Sequence, residues 1–152
     1  MMKHRISVGA LVVNQNKILM VNHRRQDRYD FWVAPGGGVK GIETIEHAVI
    51  REVMEETGFK VAVGRLLYIE EMYEPSLRMI KFWYQCEILS GELDSNSPEA
   101  KAEFIVDAKF MSKQELSKNI IFPSVLVDDF WEKSAQKVIT PEHLPLREMT
   151  FY

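Results

Sequence analysis

One segment constrains the fold of this chain more than any other: GGGVKGIETIEHAVIREVMEETGF, residues 36–59. From Thr44 to Thr57 it contains neither proline nor glycine, and Gly58 follows where helices commonly stop. We therefore predict a helix over Thr44 to Thr57. The helix macrodipole disfavours negative charge at its C-terminal end. The last turns nevertheless carry three glutamates: Glu52, Glu55 and Glu56.

The three carboxylates share one face of this helix. At about 100° per residue they fall within roughly one third of the circumference. Ile45, Ala48 and Val49 point in nearly the same direction, so the acids extend an apolar stripe. Like charges at this spacing cost roughly 0.2–0.5 kcal/mol per pair, and Arg51 offsets only part of that cost. A hard divalent cation bound by carboxylate oxygens would remove the repulsion. The pattern favours a metal site, with a structural helix held by salt bridges as the alternative.

The spacing around this helix resembles a known family. Counting from Gly37, five residues precede Glu43, seven more follow, and the chain then reads REVMEETGF. This is similar to the Nudix box at every fixed position. The preceding apolar hairpin, the WVAPGG segment and the later AKFMSKQEL also resemble the family, over roughly residues 5–117, whereas residues 118–152 are not covered.

The resemblance implies roles for the box residues. Glu52, Glu55 and Glu56 are expected to bind Mg²⁺ or Mn²⁺, and Arg51 is expected to orient them. Glu43 is expected to support the site from the helix entrance. The implied reaction is hydrolysis of a nucleoside diphosphate linked to another group. Glu52 is the first choice for the base, and a carboxylate from a distant loop is its rival.

Two glycines complete the box site in this interpretation. Gly37 and Gly38 are expected to let the backbone turn tightly beside the metal, because a Cβ would obstruct it. The helix supplies ligands from one side only, so a second acid should face it across the substrate. The loop SPEAKAEF offers two candidates. Glu103 is preferred because it abuts a predicted strand, Glu99 is second, and ordinary solvated acids remain the alternative.

Residues that contact the substrate are predicted less directly. Arg25 and Arg28 lie in the loop after the hairpin, where they could reach a diphosphate, although solvated charge explains them as well. Strand alternation places Trp83 on one face with Lys81 and Gln85. Such a face can stack a base and contact phosphate, but Trp83 can equally pack beneath a helix.

The substrate is only partly constrained by the sequence. ADP-ribose-cleaving members often carry a proline about fifteen residues beyond the box, and Pro75 lies one residue past that spacing. ADP-ribose or a related sugar nucleotide is therefore favoured. The alternatives are a nucleoside triphosphate pyrophosphohydrolase that removes damaged nucleotides, and a non-catalytic nucleotide sensor. The intact box argues against the sensor.

The chain as a whole is expected to form one domain, residues 1–152, of the α/β (α+β) class. Apolar runs predict a hairpin (6–13 and 17–23), strands at 60–72, 78–89 and 104–111, and further helices at 112–118 and 124–137. Together with the resemblance this implies a Nudix fold, a mixed β-sheet between helices. Residues 140–152 contain two prolines and show no clear period.

Charge and composition limit the partners. With 19 basic and 22 acidic residues the net charge is −3, which disfavours long nucleic acid or an anionic membrane as partner. No apolar run approaches the roughly 20 residues that span a bilayer. The single cysteine, Cys86, provides neither a disulfide framework nor a thiolate metal site. We expect a soluble, cytoplasmic protein with a small nucleotide as its partner, and leave a homodimer open.

Overall fold

The computed structural model describes all 152 residues. Its strands are β1 (Lys3–Asn14), β2 (Lys17–Arg25), β3 (Tyr29–Val33), β4 (Gly36–Gly38), β5 (Phe59–Glu74), β6 (Leu77–Gly91), β7 (Ile105–Ser112), β8 (Ile121–Phe122), β9 (Glu142–His143) and β10 (Arg147–Glu148). Its helices are α1 (Ile45–Thr57), α2 (Pro98–Ala102), α3 (Lys113–Leu116) and α4 (Phe130–Ala135), with a 3-10 turn over Ser124–Val127.

The strands form a mixed sheet centred on β1. Their order is β10-β5-β6-β1-β2-β3-β8, with β4 paired to β1, β7 to β2 and β9 to β5. β1 runs parallel to β6 over Lys3 to Val12, whereas β2 returns antiparallel through a hairpin that pairs Asn14 with Lys17. The short β4 lies antiparallel to β1 and places its three glycines beside Ser7, Val8 and Gly9.

Alternate residues of the central strands supply two apolar clusters. Val8, Ala10 and Val12 of β1 pack with α1, whose Ala48, Val49 and Val53 are fully buried. The larger cluster contains Leu11 of β1, Trp83 of β6 and Phe130 of α4, among others. Side chains of a strand alternate between its two faces. The expected mixed sheet between helices is therefore confirmed.

Helix α1 has the termini that the sequence predicted. Thr44 is the N-cap, with its Oγ1 accepting a hydrogen bond from the backbone N–H of His47 at 3.1 Å. Gly58 closes the helix at φ 79°, a left-handed conformation that glycine adopts without strain. α1 has 13 residues, and no helix of the chain is long and apolar enough to cross a membrane.

The C-terminal third differs from the sequence prediction. The helix predicted over 124–137 is divided into the 3-10 turn and α4, because Asp128 adopts φ −112° and ψ −113°, which no helix allows. α2 forms within the predicted loop, capped by Ser97. The tail contributes β9 and β10, which lie parallel to β5. Two-residue strands on an existing edge depend on the partner strand, so periodicity alone does not reveal them.

Candidate active site

Three carboxylates converge at the C-terminal half of α1. Glu52 and Glu56 project from the helix and are only 3% and 2% exposed. Glu103, the C-cap residue of α2, joins them from a distant part of the chain. One oxygen from each of the three lies within 4.8 Å of the others. The structure thus brings the predicted loop acid Glu103, itself an exposed residue, to the box helix, whereas Glu99 is not part of this group.

Two contacts hold Glu103 in place. The hydroxyl of Ser97, the N-cap of α2, donates to the backbone carbonyl of Glu55, which ties α2 to α1. His23 Nδ1 lies 3.2 Å from the carbonyl oxygen of Glu103. Burial lowers the pKa of His23 to about 4, so its ring is neutral and donates one hydrogen bond to that carbonyl. Partial burial of its carboxyl group and the nearby Glu52 carboxylate raise the pKa of Glu103 above its ordinary value.

Glu55, predicted as a metal ligand, is not part of the converging group. Its Oε2 accepts a hydrogen bond from Arg51 Nη1 at 3.3 Å. The same Arg51 nitrogen also donates to Glu52, so Arg51 links Glu55 to the group. The acids grouped in the structure are Glu52, Glu56 and Glu103. The role of Glu55 as a metal ligand stays a prediction.

Arg51 connects the box residues. Its Nη2 and Nε donate to the two oxygens of Glu43 at 2.6 and 3.1 Å, and Nη1 donates to Glu52 Oε1 at 2.8 Å. Nη2 also reaches the backbone carbonyl of Gly38 at 3.0 Å. A bidentate guanidinium–carboxylate pair fixes geometry more strictly than a single contact. The arrangement holds Glu52 in one orientation, as the predicted role of Arg51 requires.

Glu43 gives a prediction for stability against pH. Its hydrogen bonds to Arg51, together with one from the backbone of Lys40, lower its pKa from 4.5 to about 2. A carboxyl whose pKa falls on folding stabilises the native state above its unfolded pKa and loses that effect as pH falls. We expect the difference in unfolding free energy between wild type and Glu43→Gln to be largest near neutral pH and to shrink between about pH 5 and pH 2. Urea unfolding in metal-free buffer measures it.

The control for this measurement is Glu46→Gln. Glu46 is an exposed acid in the first turn of the same helix, and it forms no salt bridge. Its unfolding free energy should follow that of the wild type at every pH. The interpretation of Glu43 is wrong if Glu43→Gln and wild type differ by the same amount at pH 7 and at pH 2.

Side chains lie so close to Gly37 and Gly38 that a Cβ at either position would clash with them. A Cβ built on Gly37 would lie 2.5 Å from Glu52 Oε1, and one on Gly38 would lie 2.7 Å from a guanidinium nitrogen of Arg5. Both residues belong to the extended strand β4, not to the tight turn that the sequence suggested. The N–H of Gly36 points at Glu56 Oε1 at 3.4 Å. Gly37 thus leaves room for the Glu52 carboxylate and Gly38 for the Arg5 guanidinium, so a Cβ would be obstructed as expected, although the backbone conformation differs from the prediction.

Glu56 shows that these residues fit a cation. Its Oε2 is buried and has no hydrogen-bond partner. Burial, Glu103 and Glu52 all raise the pKa of its carboxyl well above the ordinary value. An unpaired carboxylate oxygen inside a group of three acids costs free energy unless a proton or a cation neutralises it. The donor set is entirely oxygen, which suits Mg²⁺ or Mn²⁺.

A cavity of about 220 Å³ adjoins the carboxylates. Gly36, Gly37 and Glu103 form part of its wall, and Arg5 and Lys81 bring positive charge to it. A diphosphate group needs such a mixture: carboxylates to hold a metal and cations to contact the remaining phosphate oxygens.

The predicted substrate residues do not line this cavity. Trp83 is fully buried and its Nε1 donates to Glu70 at 3.3 Å, so its ring offers no face to a base. That prediction is corrected: Trp83 packs in the core. Arg28 is exposed, and the guanidinium of Arg25 lies 4.7 Å above the Phe104 ring. Neither arginine contacts the carboxylate group.

The site residues predicted from the sequence omitted several residues of the cavity wall, among them Arg5, Lys81 and Tyr152. Strand alternation placed Lys81 on the same face as Trp83, so a signal was present for the lysine. No sequence pattern indicated Tyr152, because it reaches the site only through the pairing of the tail with β5.

Comparison with known proteins agrees with the site. A sequence profile of the NUDIX domain matches residues 3–130. An ADP-ribose pyrophosphatase of Methanocaldococcus jannaschii is 32% identical over 101 residues, which are 65% of this chain and 60% of that protein. An RNA pyrophosphohydrolase of Orientia tsutsugamushi is 30% identical over 125 residues, 79% of this chain and 70% of that protein. The chain thus spans less than two thirds of the first relative.

The fold is also found among solved structures. That of an ADP-ribose pyrophosphatase from Streptococcus suis superposes with a TM-score of 0.70, covering 92% of this chain and 98% of that one at 22% identity. This likeness establishes the fold alone. The profile spans strands β1 to β8, helix α1 and all three converging glutamates. With that match and these relatives, the chain belongs to the Nudix family.

Proposed function

We propose that this protein is a metal-dependent hydrolase that cleaves the diphosphate of a nucleoside diphosphate linked to a second group, with ADP-ribose or a related sugar nucleotide as the favoured substrate. The observation that carries the proposal is the convergence of Glu52, Glu56 and Glu103, with an unpaired buried oxygen on Glu56, beside a cavity that holds cationic side chains.

The converging glutamates have two roles in this reaction, metal binding and proton transfer. Glu52, Glu56 and Glu103 would hold Mg²⁺ or Mn²⁺, and Glu55 remains a further candidate ligand. When bound, such a cation neutralises diphosphate oxygens and lowers the pKa of a bound water. Glu52 accepts the proton of the attacking water, whose oxygen forms the new bond to phosphorus. The bond from phosphorus to the bridging oxygen breaks, and one phosphate leaves with its group.

The names of similar proteins favour this substrate class. The M. jannaschii relative and the S. suis structure are both described as ADP-ribose pyrophosphatases. Another structure of the same fold, described as a UDP-X diphosphatase, superposes with a TM-score of 0.73 at 24% identity. The O. tsutsugamushi relative is described as an RNA pyrophosphohydrolase, which favours the alternative of a pyrophosphohydrolase. Pro75 lies in the exposed turn between β5 and β6 and does not line the cavity, so it adds little to the choice.

A nucleotide panel tests the proposal. Purified protein with Mg²⁺ is assayed for release of nucleoside monophosphate from ADP-ribose, NADH, sugar nucleotides, dinucleoside polyphosphates and oxidised triphosphates. We expect ADP-ribose or a sugar nucleotide to give the highest kcat/KM. Preference for a triphosphate supports the alternative. Absence of product from the whole panel favours the nucleotide sensor.

Glu103 carries a prediction of its own. It lines the cavity and lies with the box glutamates, whereas Glu99 lies one turn away in α2 and does neither. We therefore expect Glu103→Gln to lower kcat by at least about tenfold, and Glu99→Gln to leave it within about threefold of wild type. Steady-state assays on the best substrate of the panel decide it. If both variants keep kcat within about threefold, no carboxylate of this segment takes part.

A further inference from the structure

Lys81 occupies an unusual position in the cavity wall. It is only 3% exposed, yet its side chain lines the cavity and forms no salt bridge. The Lys81 ammonium donates a single hydrogen bond, to the hydroxyl of Tyr152. An ammonium group has three donors, so two of them have no partner within the protein. A buried cation with spare donors at the wall of a cavity is arranged to receive an anion.

The charge of Lys81 persists near neutral pH. Burial lowers its pKa to about 8, while the Glu56 and Glu70 carboxylates act in the opposite direction. Its Nζ also lies 4.3 Å from the centre of the Trp83 ring, a contact that favours the charged form. At pH 7 most molecules therefore carry the positive charge.

The tail of the chain holds the partner of Lys81. Arg147 forms a salt bridge with Glu70 at 3.1 Å and donates from Nη1 to the carbonyl of Tyr152 at 2.6 Å. The N–H of Met149 donates to the Tyr73 carbonyl at 2.8 Å. These contacts fix residues 147–152, which lie beyond the region matched by the family profile.

The ring of Tyr152 is held as firmly as its backbone. It packs against Phe31 and Phe122, with ring centroids 5.5 and 5.1 Å apart. Burial, Glu70 and Glu56 raise the pKa of Tyr152 well above its ordinary value, so the hydroxyl stays neutral and accepts from Lys81. Tyr152 thereby restricts the Lys81 ammonium to the cavity wall.

We propose that Lys81, positioned by Tyr152, binds a phosphate group of the substrate, and that the C-terminal tail is thus part of the active site. This inference rests on the proposed function, since it assigns the contact that complements the carboxylate group. Lys81 touches the substrate, whereas Tyr152 is a positioning residue. In the competing explanation Lys81 only balances the charge of Glu56 and Glu70 at a distance.

Binding of a non-hydrolysable diphosphate separates these explanations. Calorimetric titration with α,β-methylene-ADP in Mg²⁺ gives Kd without turnover. The variants are Lys81→Met, which keeps chain length without charge, and Tyr152→Phe, which removes only the hydroxyl. We expect Kd to rise at least about tenfold in Lys81→Met, as loss of a charge-assisted hydrogen bond implies, and about threefold or more in Tyr152→Phe.

The matched control is Lys109→Met. Lys109 is also a strand lysine above a tryptophan, 5.1 Å from the Trp32 ring centre, but it is exposed and pairs with Glu115. Its loss should leave Kd unchanged. Metal-dependent thermal stabilisation of each variant checks that the carboxylate site is intact, and Tyr152→Phe carries the test if Lys81→Met does not fold.

Different results would contradict the role of Lys81 and the proposed hydrolase activity. An active wild type whose Kd stays within about threefold in Lys81→Met and in Tyr152→Phe overturns the assignment alone, and so does a wild type that does not bind the analogue. A wild type that binds the analogue through Lys81 but releases no product from any nucleotide keeps the anion site and refutes the hydrolase.

Discussion

Glu52→Gln is expected to lower kcat by about 10²–10⁴-fold, the usual effect of removing a positioned base. Glu52 is 3% exposed, accepts from Arg51 at 2.8 Å and lies against Gly37, whose missing Cβ leaves space for it. Glutamine keeps the volume but cannot accept the proton of water. The reduction becomes larger if a metal ligand is lost at the same time. Release of nucleoside monophosphate from the best substrate, with saturating Mg²⁺, measures it.

Glu46→Gln on the first turn of the same helix is the control, since Glu46 is exposed and is not part of the carboxylate group. Its kcat should equal that of the wild type. If Glu52→Gln keeps kcat within about threefold while Glu103→Gln loses most of it, the base is the outside carboxylate. If neither variant changes kcat, the proposed chemistry is wrong.

Divalent metal is expected to stabilise the wild type by about 2.7 kcal/mol at a hundredfold excess over Kd, provided that only the native state binds. Glu56→Gln should lose this effect. In EDTA the same variant should be at least as stable as the wild type, because it replaces a buried carboxylate whose Oε2 has no partner by a neutral amide. The order of stability of the two proteins should thus reverse when Mg²⁺ or Mn²⁺ is added. Thermal melting with and without metal shows it.

Parallel variants identify the third ligand. Glu103→Gln should weaken the metal effect if the converging group is the ligand set, and Glu55→Gln should weaken it if the box alone supplies the ligands. An unchanged melting curve up to millimolar metal, with Glu56→Gln melting like the wild type, would exclude a metal site on α1.

The sequence by itself determined helix α1 and its acidic face. The absence of proline and glycine from Thr44 to Thr57, the cap residues and the helical period are local properties, and the structure reproduces the predicted ends within one residue. The apolar runs predicted the α/β (α+β) class, and the resemblance to the Nudix box predicted the Nudix fold. The alternation along β6 was equally local, and it placed Lys81 and Trp83 on one face.

Only the tertiary structure decided which distant side chains meet that helix. Glu103 reaches Glu56 because Ser97 and His23 hold α2 against the site, and Tyr152 reaches Lys81 because the tail pairs with β5. It also removed Trp83 from the substrate residues, since the Trp83 ring is buried in the core while Lys81 on the same face lines the cavity. Such contacts depend on strand register and on the packing of segments far apart in the chain. A local pattern of residues predicts neither the register nor the packing.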